Sequence, residues 1–195
     1  PEVDPGSITG DTAICFNTNP GVLSMNMLPT GGGDLFYNYQ WQESLDNQNW
    51  TNINSANLTT YQPSALTSST YYRLEVYSGQ WNCGPRYTNT VFVEVFDEFE
   101  NGSLEAQATI CYNTTPNMIE FDNLPIGADG DFSYSWEINN SGSWIQLNEF
   151  SSSYQPNSLT SDTEYRVLIT SNYGCGSAYN QITISVYDSL IAGEI

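Results

Sequence analysis

The chain of 195 residues carries 22 Asp plus Glu against three Arg, with no Lys and no His, so its formal charge is −19 and its pI near 4.1. Three cations cannot grip a nucleic-acid backbone, and an anionic lipid surface repels such a chain. Without His or Lys there is no imidazole base, imidazole zinc site, Schiff-base lysine or phosphate-binding P-loop, which leaves carboxylates, hydroxyls, Tyr and Cys as the available chemistry.

Through the first half, apolar and polar residues alternate with a period of two, the mark of strands with one face on a core. Strands are expected over 11–17, 22–27, 35–43, 50–54, 59–63, 71–78 and 89–96, divided by Gly, Asn, Ser and Pro. In the third, Leu35, Tyr37, Tyr39 and Trp41 share one face and Asn38, Gln40 and Gln42 the other; Tyr72, Leu74 and Val76 repeat the pattern. No helical period persists, and no apolar run reaches the length of a membrane-spanning helix.

The second half restates the first. Gly6-Ser7-Ile8 returns as Gly102-Ser103-Leu104, and Ile14-Cys15-Phe16-Asn17-Thr18 as Ile110-Cys111-Tyr112-Asn113-Thr114. Trp41 and Trp50 match Trp136 and Trp144, Tyr61-Gln62-Pro63 matches Tyr154-Gln155-Pro156, and the segment from Leu66 to Arg73 matches that from Leu159 to Arg166. An all-β chain of two tandem Ig-like or fibronectin-III-like β-sandwich domains follows, about seven strands each. The expected boundaries are 1–98 and 99–190, with 191–195 opening a third repeat. The opening Pro1-Glu2-Val3-Asp4-Pro5 reads as an excerpt from a longer protein whose targeting signals lie elsewhere. Trp41 and Trp136 are expected in the core, and the spacing of Leu66 to Tyr72 and Leu159 to Tyr165 has the look of a tyrosine corner.

Cysteines fall two per repeat, Cys15 with Cys83 and Cys111 with Cys175, 68 and 64 residues apart and without any Cys-x-x-Cys. Disulfides within each repeat and an oxidising, extracytoplasmic compartment are the expectation. Four buried thiols are the alternative.

These motifs, together with Tyr39-Gln40-Trp41-Gln42, Asn82-Cys83-Gly84, Gly174-Cys175-Gly176 and Thr88-Asn89-Thr90-Val91, resemble the Ig-like repeats of giant Bacteroidota cell-surface adhesins. The resemblance covers nearly the whole chain. It implies export by type IX secretion, an extracellular filament attached at the outer membrane, a role in gliding motility, and adhesion to a substratum or surface polysaccharide. The partners it implies are neighbouring repeats of the same chain, with no nucleic acid and no membrane insertion of this segment.

Five carboxylates, Glu94, Asp97, Glu98, Glu100 and Glu105, gather where one repeat hands over to the next, an oxygen-rich set of the kind Ca²⁺ prefers. Apart from this possible ion no cofactor is expected, and a plain acidic linker is the alternative, since only Asp188 recurs after the second repeat. Asp34 and Asp129-Gly130-Asp131 are weaker candidates in turns. Trp81 is a possible contact for a sugar or partner, or packs over a disulfide. Thr12 and Ser189, in Asp11-Thr12-Ala13 and Asp188-Ser189-Leu190, resemble the short O-glycosylation signal of Bacteroidota secreted proteins. Acidic positions scatter differently in the two copies, so no enzyme is expected; a carbohydrate-binding accessory module of a secreted enzyme is the competing function.

Overall fold

In the first repeat the alternating residues form β1 (Ser7–Thr9), β2 (Ala13–Ile14), β3 (Leu23–Met27), β4 (Tyr37–Ser44), β5 (Thr51–Asn52), β6 (Thr60–Tyr61), β7 (Thr70–Ser78), β8 (Arg86–Tyr87) and β9 (Val91–Val95). The computed structural model describes residues 2–33, 36–79 and 84–188, in two units, Pro1–Asp97 and Glu98–Ile195. One sheet of the first unit runs β1-β3-β6 and the other β2-β9-β7-β4-β5, with β8 beside β7. Trp41, Tyr72, Leu74, Val76 and Val93 from the larger sheet meet Ile8 and Leu23 from the smaller in one buried cluster.

The second repeat follows with β10 (Asp97–Glu100), β11 (Ser103–Glu105), β12 (Thr109–Ile110), β13 (Glu120–Asn123), β14 (Ile126–Ala128), β15 (Phe132–Asn140), β16 (Ser143–Gln146), β17 (Thr163–Ser171) and β18 (Ser177–Val186). Its large sheet runs β12-β18-β17-β15-β16, and β11-β13 and β10-β14 are two-stranded. Trp136, Tyr165, Val167, Ile169 and Ile184 fill its own core with Ile110 and Ile119. These are Ig-like β-sandwiches. In each, the opening of the chain switches sheets: β1 lies antiparallel to β3, whereas β2 lies parallel to β9 with Ile14 beside Val95. The second repeat pairs β11 with β13 and β12 with β18, Ile110 beside Val186.

The expected segment 11–17 therefore forms a strand only at its centre, and Ser7–Thr9 and Arg86–Tyr87 are strands that alternation did not reveal. Leu35 lies outside the described residues.

Each repeated motif has a local cause. Gly6 and Gly102 hold φ of +72° and +69° where the register slips at Ser7 and Ser103. A Cβ on either would stand 2.1 Å from the Met27 carbonyl oxygen or 2.2 Å from that of Asn123, so the bulge requires glycine. Gln62 donates to the carbonyls of Pro20 (2.6 Å) and Pro63 (3.1 Å), and Gln155 to those of Pro116 (2.9 Å) and Pro156 (3.1 Å). Both indoles are fully buried, with Nε1 of Trp41 donating to the Leu58 carbonyl and that of Trp136 to the Ser151 carbonyl, each at 2.9 Å. Tyr61 bridges Trp41 to Tyr72, and Tyr154 bridges Trp136 to Tyr165, as tilted ring pairs.

Burial pushes the Tyr165 phenol up to about 12 and raises that of Tyr72 as well. A raised folded-state pKa contributes stability that is complete below the ordinary phenol value near 10 and is lost as pH climbs toward the folded value. Urea midpoints of the second repeat are therefore expected to hold up to about pH 10 and fall from there to about 12, with Tyr165→Phe flattening the decline. A wild-type midpoint unchanged across that window would contradict the assignment.

Candidate functional site

The outer face of each large sheet carries one cation between two aromatic rings. Strand alternation turns Arg73 away from the core that Tyr72 and Leu74 enter. Its guanidinium carbon lies 4.1 Å from the centre of the Trp50 ring and 3.9 Å from that of Tyr87, while Nε donates to Gln42 Oε1 at 2.7 Å. In the second repeat Arg166 sits 4.2 Å from Trp144 and 4.1 Å from Tyr179, and its Nε is ion-paired with Glu137 directly across the ladder. Two of the three cations are thus spent on cohesion, and the third, Arg86, pairs with Glu2. Sequence reasoning matched Trp50 to Trp144 and Arg73 to Arg166 without seeing that they touch.

A second recurring feature presents a cysteine. After β2, Asn17 takes φ of +54°, Thr18 Oγ1 donates to the Cys15 carbonyl at 2.7 Å, and Asn17 N donates to the Leu66 carbonyl at 2.8 Å. After β12 the same turn recurs: Asn113 has φ of +57°, Thr114 Oγ1 reaches the Cys111 carbonyl at 2.7 Å, and Asn113 N reaches the Leu159 carbonyl at 2.7 Å. Asn tolerates this left-handed conformation better than other side chains. The two cysteines share a backbone but not a state. Cys15 is half-buried and disulfide-bonded, whereas Cys111 is exposed and free.

The third cysteine feature is the turn between β17 and β18. Ser171 Oγ donates to Asp129 Oδ1 at 2.7 Å and accepts from Cys175 N at 3.2 Å, while Asp129 Oδ2 accepts from Tyr173 N at 3.0 Å. Asp129 is therefore a brace for the Cys175 turn; the Ser171 hydroxyl, followed by backbone N–H groups, lowers its carboxyl pKa. Cys175 is disulfide-bonded. The expected Cys111–Cys175 bridge is corrected. Cys111 follows the residue beside Val186, at the end of β18, and Cys175 precedes the start of β18, so ten strand residues separate them. That is on the order of 30 Å, against the roughly 7 Å between Cα atoms that a disulfide spans.

Among the described residues no three acidic, cysteine or histidine side chains come together to hold a metal ion, although Glu94, Asp97, Glu98, Glu100 and Glu105 are all described. Asp97, Glu98 and Glu100 lie along the extended β10, where successive side chains point to opposite faces and alternate ones stand nearly 7 Å apart. Glu105 lies opposite Glu120 on β13, a like-charge pair. Glu120→Lys is expected to raise the stability of the second repeat by about 0.5 kcal/mol in low salt, with the gain shrinking as salt is added; calorimetry of both proteins checks it. Thr12 is exposed, whereas Asp34, Trp81, Cys83, Ser189 and the segment 191–195 lie outside the described residues.

A family model described as Domain of unknown function (DUF8696) matches residues 4–97 and again 100–188. The chain belongs to this family, in two copies. No curated protein matches it. Among solved structures, the DUF8696 pair is similar to extracellular domains 3-5 of Drosophila OTK, with a TM-score of 0.50 and 13% identity over 93% of this chain and 62% of that one. It also matches an amphioxus IgVJ-C2 molecule (TM-score 0.44, 10% identity, 89% of this chain and 99% of that one). The third is the three N-terminal domains of the bacteriophage RB49 Highly Immunogenic Outer Capsid protein (TM-score 0.38, 13% identity, 95% and 59%). At these identities the OTK match speaks for the fold alone.

A cleft lies beside the end of β4 in the first DUF8696 copy. It encloses about 460 Å³ and is lined by Glu43, Ser44, Leu45, Asp46, Asn49, Thr51 and Thr70. Asp46 there accepts hydrogen bonds from Asn49 N (2.7 Å), Gln48 N (2.9 Å), Asn49 Nδ2 (2.6 Å) and Ser44 Oγ (2.9 Å). These donors, the Asn49 backbone amide foremost, hold its carboxyl far below the usual range, so it is a turn-forming carboxylate and a poor general acid. Trp41 aligns with Trp136, which sets Ile138 where Glu43 stands in the first copy.

Proposed function

We propose that this chain is a structural and adhesive segment of a large secreted cell-surface filament, of the kind found in Bacteroidota gliding adhesins such as SprB, and that it catalyses no reaction. The observation that carries the reading is which features recur. The arginine stack, the bulge glycine, the buried indole with its carbonyl partner and the cysteine turn are held in both copies at nearly the same geometry, and the first three hold their own sandwich together. The acidic residues of the cleft, Glu43 and Asp46, which a substrate or ion would use, align with Ile138 and Ser141 in the second copy. Bonded cysteines fit an oxidising compartment outside the cytoplasm. A strongly negative, dilute charge keeps such filaments soluble and apart. A carbohydrate-binding module presents aromatic faces to sugar, whereas Trp50, Tyr87, Trp144 and Tyr179 each hold an arginine against one face.

Single-molecule pulling tests the load-bearing part. In reductant, the chain is expected to lengthen in two abrupt steps, each on the order of 300 Å, since an extended residue spans about 3.5 Å. Smooth extension at forces no higher than those that stretch an unfolded chain would overturn the proposal.

A further inference from the structure

In each copy an asparagine reaches the bulge segment that opens the sandwich. Asn89 and Asn180 stand two residues before Val91 and Ile182, which sit opposite Tyr72 and Tyr165. In the first copy Asn89 Oδ1 accepts from Ile8 N at 2.8 Å and Asn89 Nδ2 donates to the Ile8 carbonyl at 3.0 Å, so one side-chain amide takes the place of a strand partner. In the second, Asn180 Nδ2 donates to the carbonyls of Asn101 (2.8 Å) and Gly102 (3.3 Å), and Asn180 Oδ1 accepts from Asn101 Nδ2 at 2.9 Å. Carbonyls only accept, which sets the Asn180 amide with its nitrogen toward them; its oxygen then requires a donor, and that donor is the Asn101 amide nitrogen. Both side chains are half-buried.

The Asn101-Gly102 pair carries its own chemistry. A backbone nitrogen that follows asparagine can attack the side-chain amide carbon, and glycine leaves that nitrogen unhindered. The new N–C bond closes a five-membered succinimide, the C–N bond to the side-chain nitrogen breaks, and ammonia leaves with the proton that the backbone nitrogen gave up. Water then opens either ring carbonyl to give aspartate or isoaspartate. Water alone balances the reaction, with no oxidant or reductant. Asn101 is the one asparagine in the sequence that precedes glycine. The glycine cannot be exchanged, since Gly102 holds φ of +69° and a Cβ would stand 2.2 Å from the Asn123 carbonyl oxygen. In the first copy the bulge glycine follows Pro5, which has no side-chain amide.

We propose that Asn101 is a self-modification site gated by Asn180: it converts to aspartate or isoaspartate when the clasp opens and stays asparagine while the clasp is shut. One side chain holds both reacting parts. Asn180 Oδ1 fixes the leaving nitrogen, and Asn180 Nδ2 fixes the carbonyl of the peptide whose nitrogen must attack, together with the carbonyl beyond it. Reaching attack geometry requires the Asn101 side chain and this peptide to rotate toward each other, which breaks those hydrogen bonds. The conversion runs one way. An aspartate in this place puts an acceptor where Asn180 Oδ1 needs a donor, and isoaspartate adds a methylene to the main chain immediately ahead of the bulge that sets the register of β11 with β13. The second copy therefore retains a permanent covalent mark of having opened here, a mark that the first copy cannot acquire at its own bulge. The inference does not depend on the chain's place in a filament.

Peptide mapping by mass spectrometry tests it. The full chain is held in mildly alkaline buffer, which favours loss of the backbone proton, and the amide-to-acid mass gain at Asn101 is followed in time for wild type, for Asn180→Ala and for wild type in denaturing urea. Folded wild type is expected to deamidate at least about tenfold more slowly than the urea-unfolded chain, and Asn180→Ala, with its tryptophans still buried by fluorescence, at least about tenfold faster than folded wild type. Asn180→Asp serves where the alanine variant does not fold; it keeps the side-chain volume but removes the donor from both carbonyls, and the same acceleration is expected. Wild type reacting at the unfolded rate overturns the proposal, as does a smaller acceleration in the folded Asn180 variant. Asn89→Ala, which opens the twin clasp, is expected to leave the Asn101 rate unchanged; an equal acceleration by it would mark general loosening and would also overturn the proposal.

Discussion

Trp136→Ala is expected to lower the stability of the second repeat by about 3–5 kcal/mol while leaving the first repeat folded. The indole is wholly enclosed by the second repeat's own cluster, so its removal leaves a cavity as well as the orphaned Ser151 carbonyl. A domain of this size has only about 5–15 kcal/mol to lose, and each kcal/mol shifts its melting by roughly 4–8 °C. Calorimetry should therefore show one transition displaced by about 15 °C or more and the other in place. Trp41→Ala should give the mirror image. Equal displacement of both transitions by either substitution would show that the two cores are not separate.

The second large effect is at the arginine stack. Arg166→Ala removes two cation–ring faces, about 0.5–1 kcal/mol each, and strips a half-buried Glu137 of its partner, for a total of about 2–4 kcal/mol. Arg73→Ala should cost about 1–2 kcal/mol, because the group across the ladder is the neutral Gln42. Arg166→Lys should recover less than half of the loss, since an ammonium cannot lie flat between two rings. Urea denaturation of the three variants checks the order. A lysine variant as stable as wild type would reduce the stack to a simple charge effect.

How far the chain was legible from its residues depended on the range over which each signal acts. Alternation along Tyr37 to Trp41 and along Tyr72 to Val76 is local, and the sandwich, its repeat and both buried tryptophans follow from it. The three-residue β1 and the two-residue β8 are too short to carry a period, and only their pairing with β3 and β7 makes them strands. The stack joins positions 23 and 14 residues apart in the first repeat, from Trp50 to Arg73 and from Arg73 to Tyr87, so no local pattern marks it; the recurrence of Trp and Arg in both copies was the available clue. Cys111 and Cys175 misled because two cysteines per repeat suggest a bridge within the repeat. Counting the residues of β18 between them would have set these two at opposite ends of that strand. Asp97, Glu98 and Glu100 look clustered in sequence, yet the extended backbone of β10 turns successive side chains to opposite faces.

The claim on which the account rests is that the repeat is the unit of cohesion, with the recurring arginine stack, buried indole and bulge glycine each serving its own sandwich. Producing 1–97 and 98–195 as separate chains in reductant tests it most directly. Each half is expected to show a β-sheet circular-dichroism spectrum and a single cooperative melt. A half that stays unfolded alone, and folds only when the other is joined to it, would contradict the account.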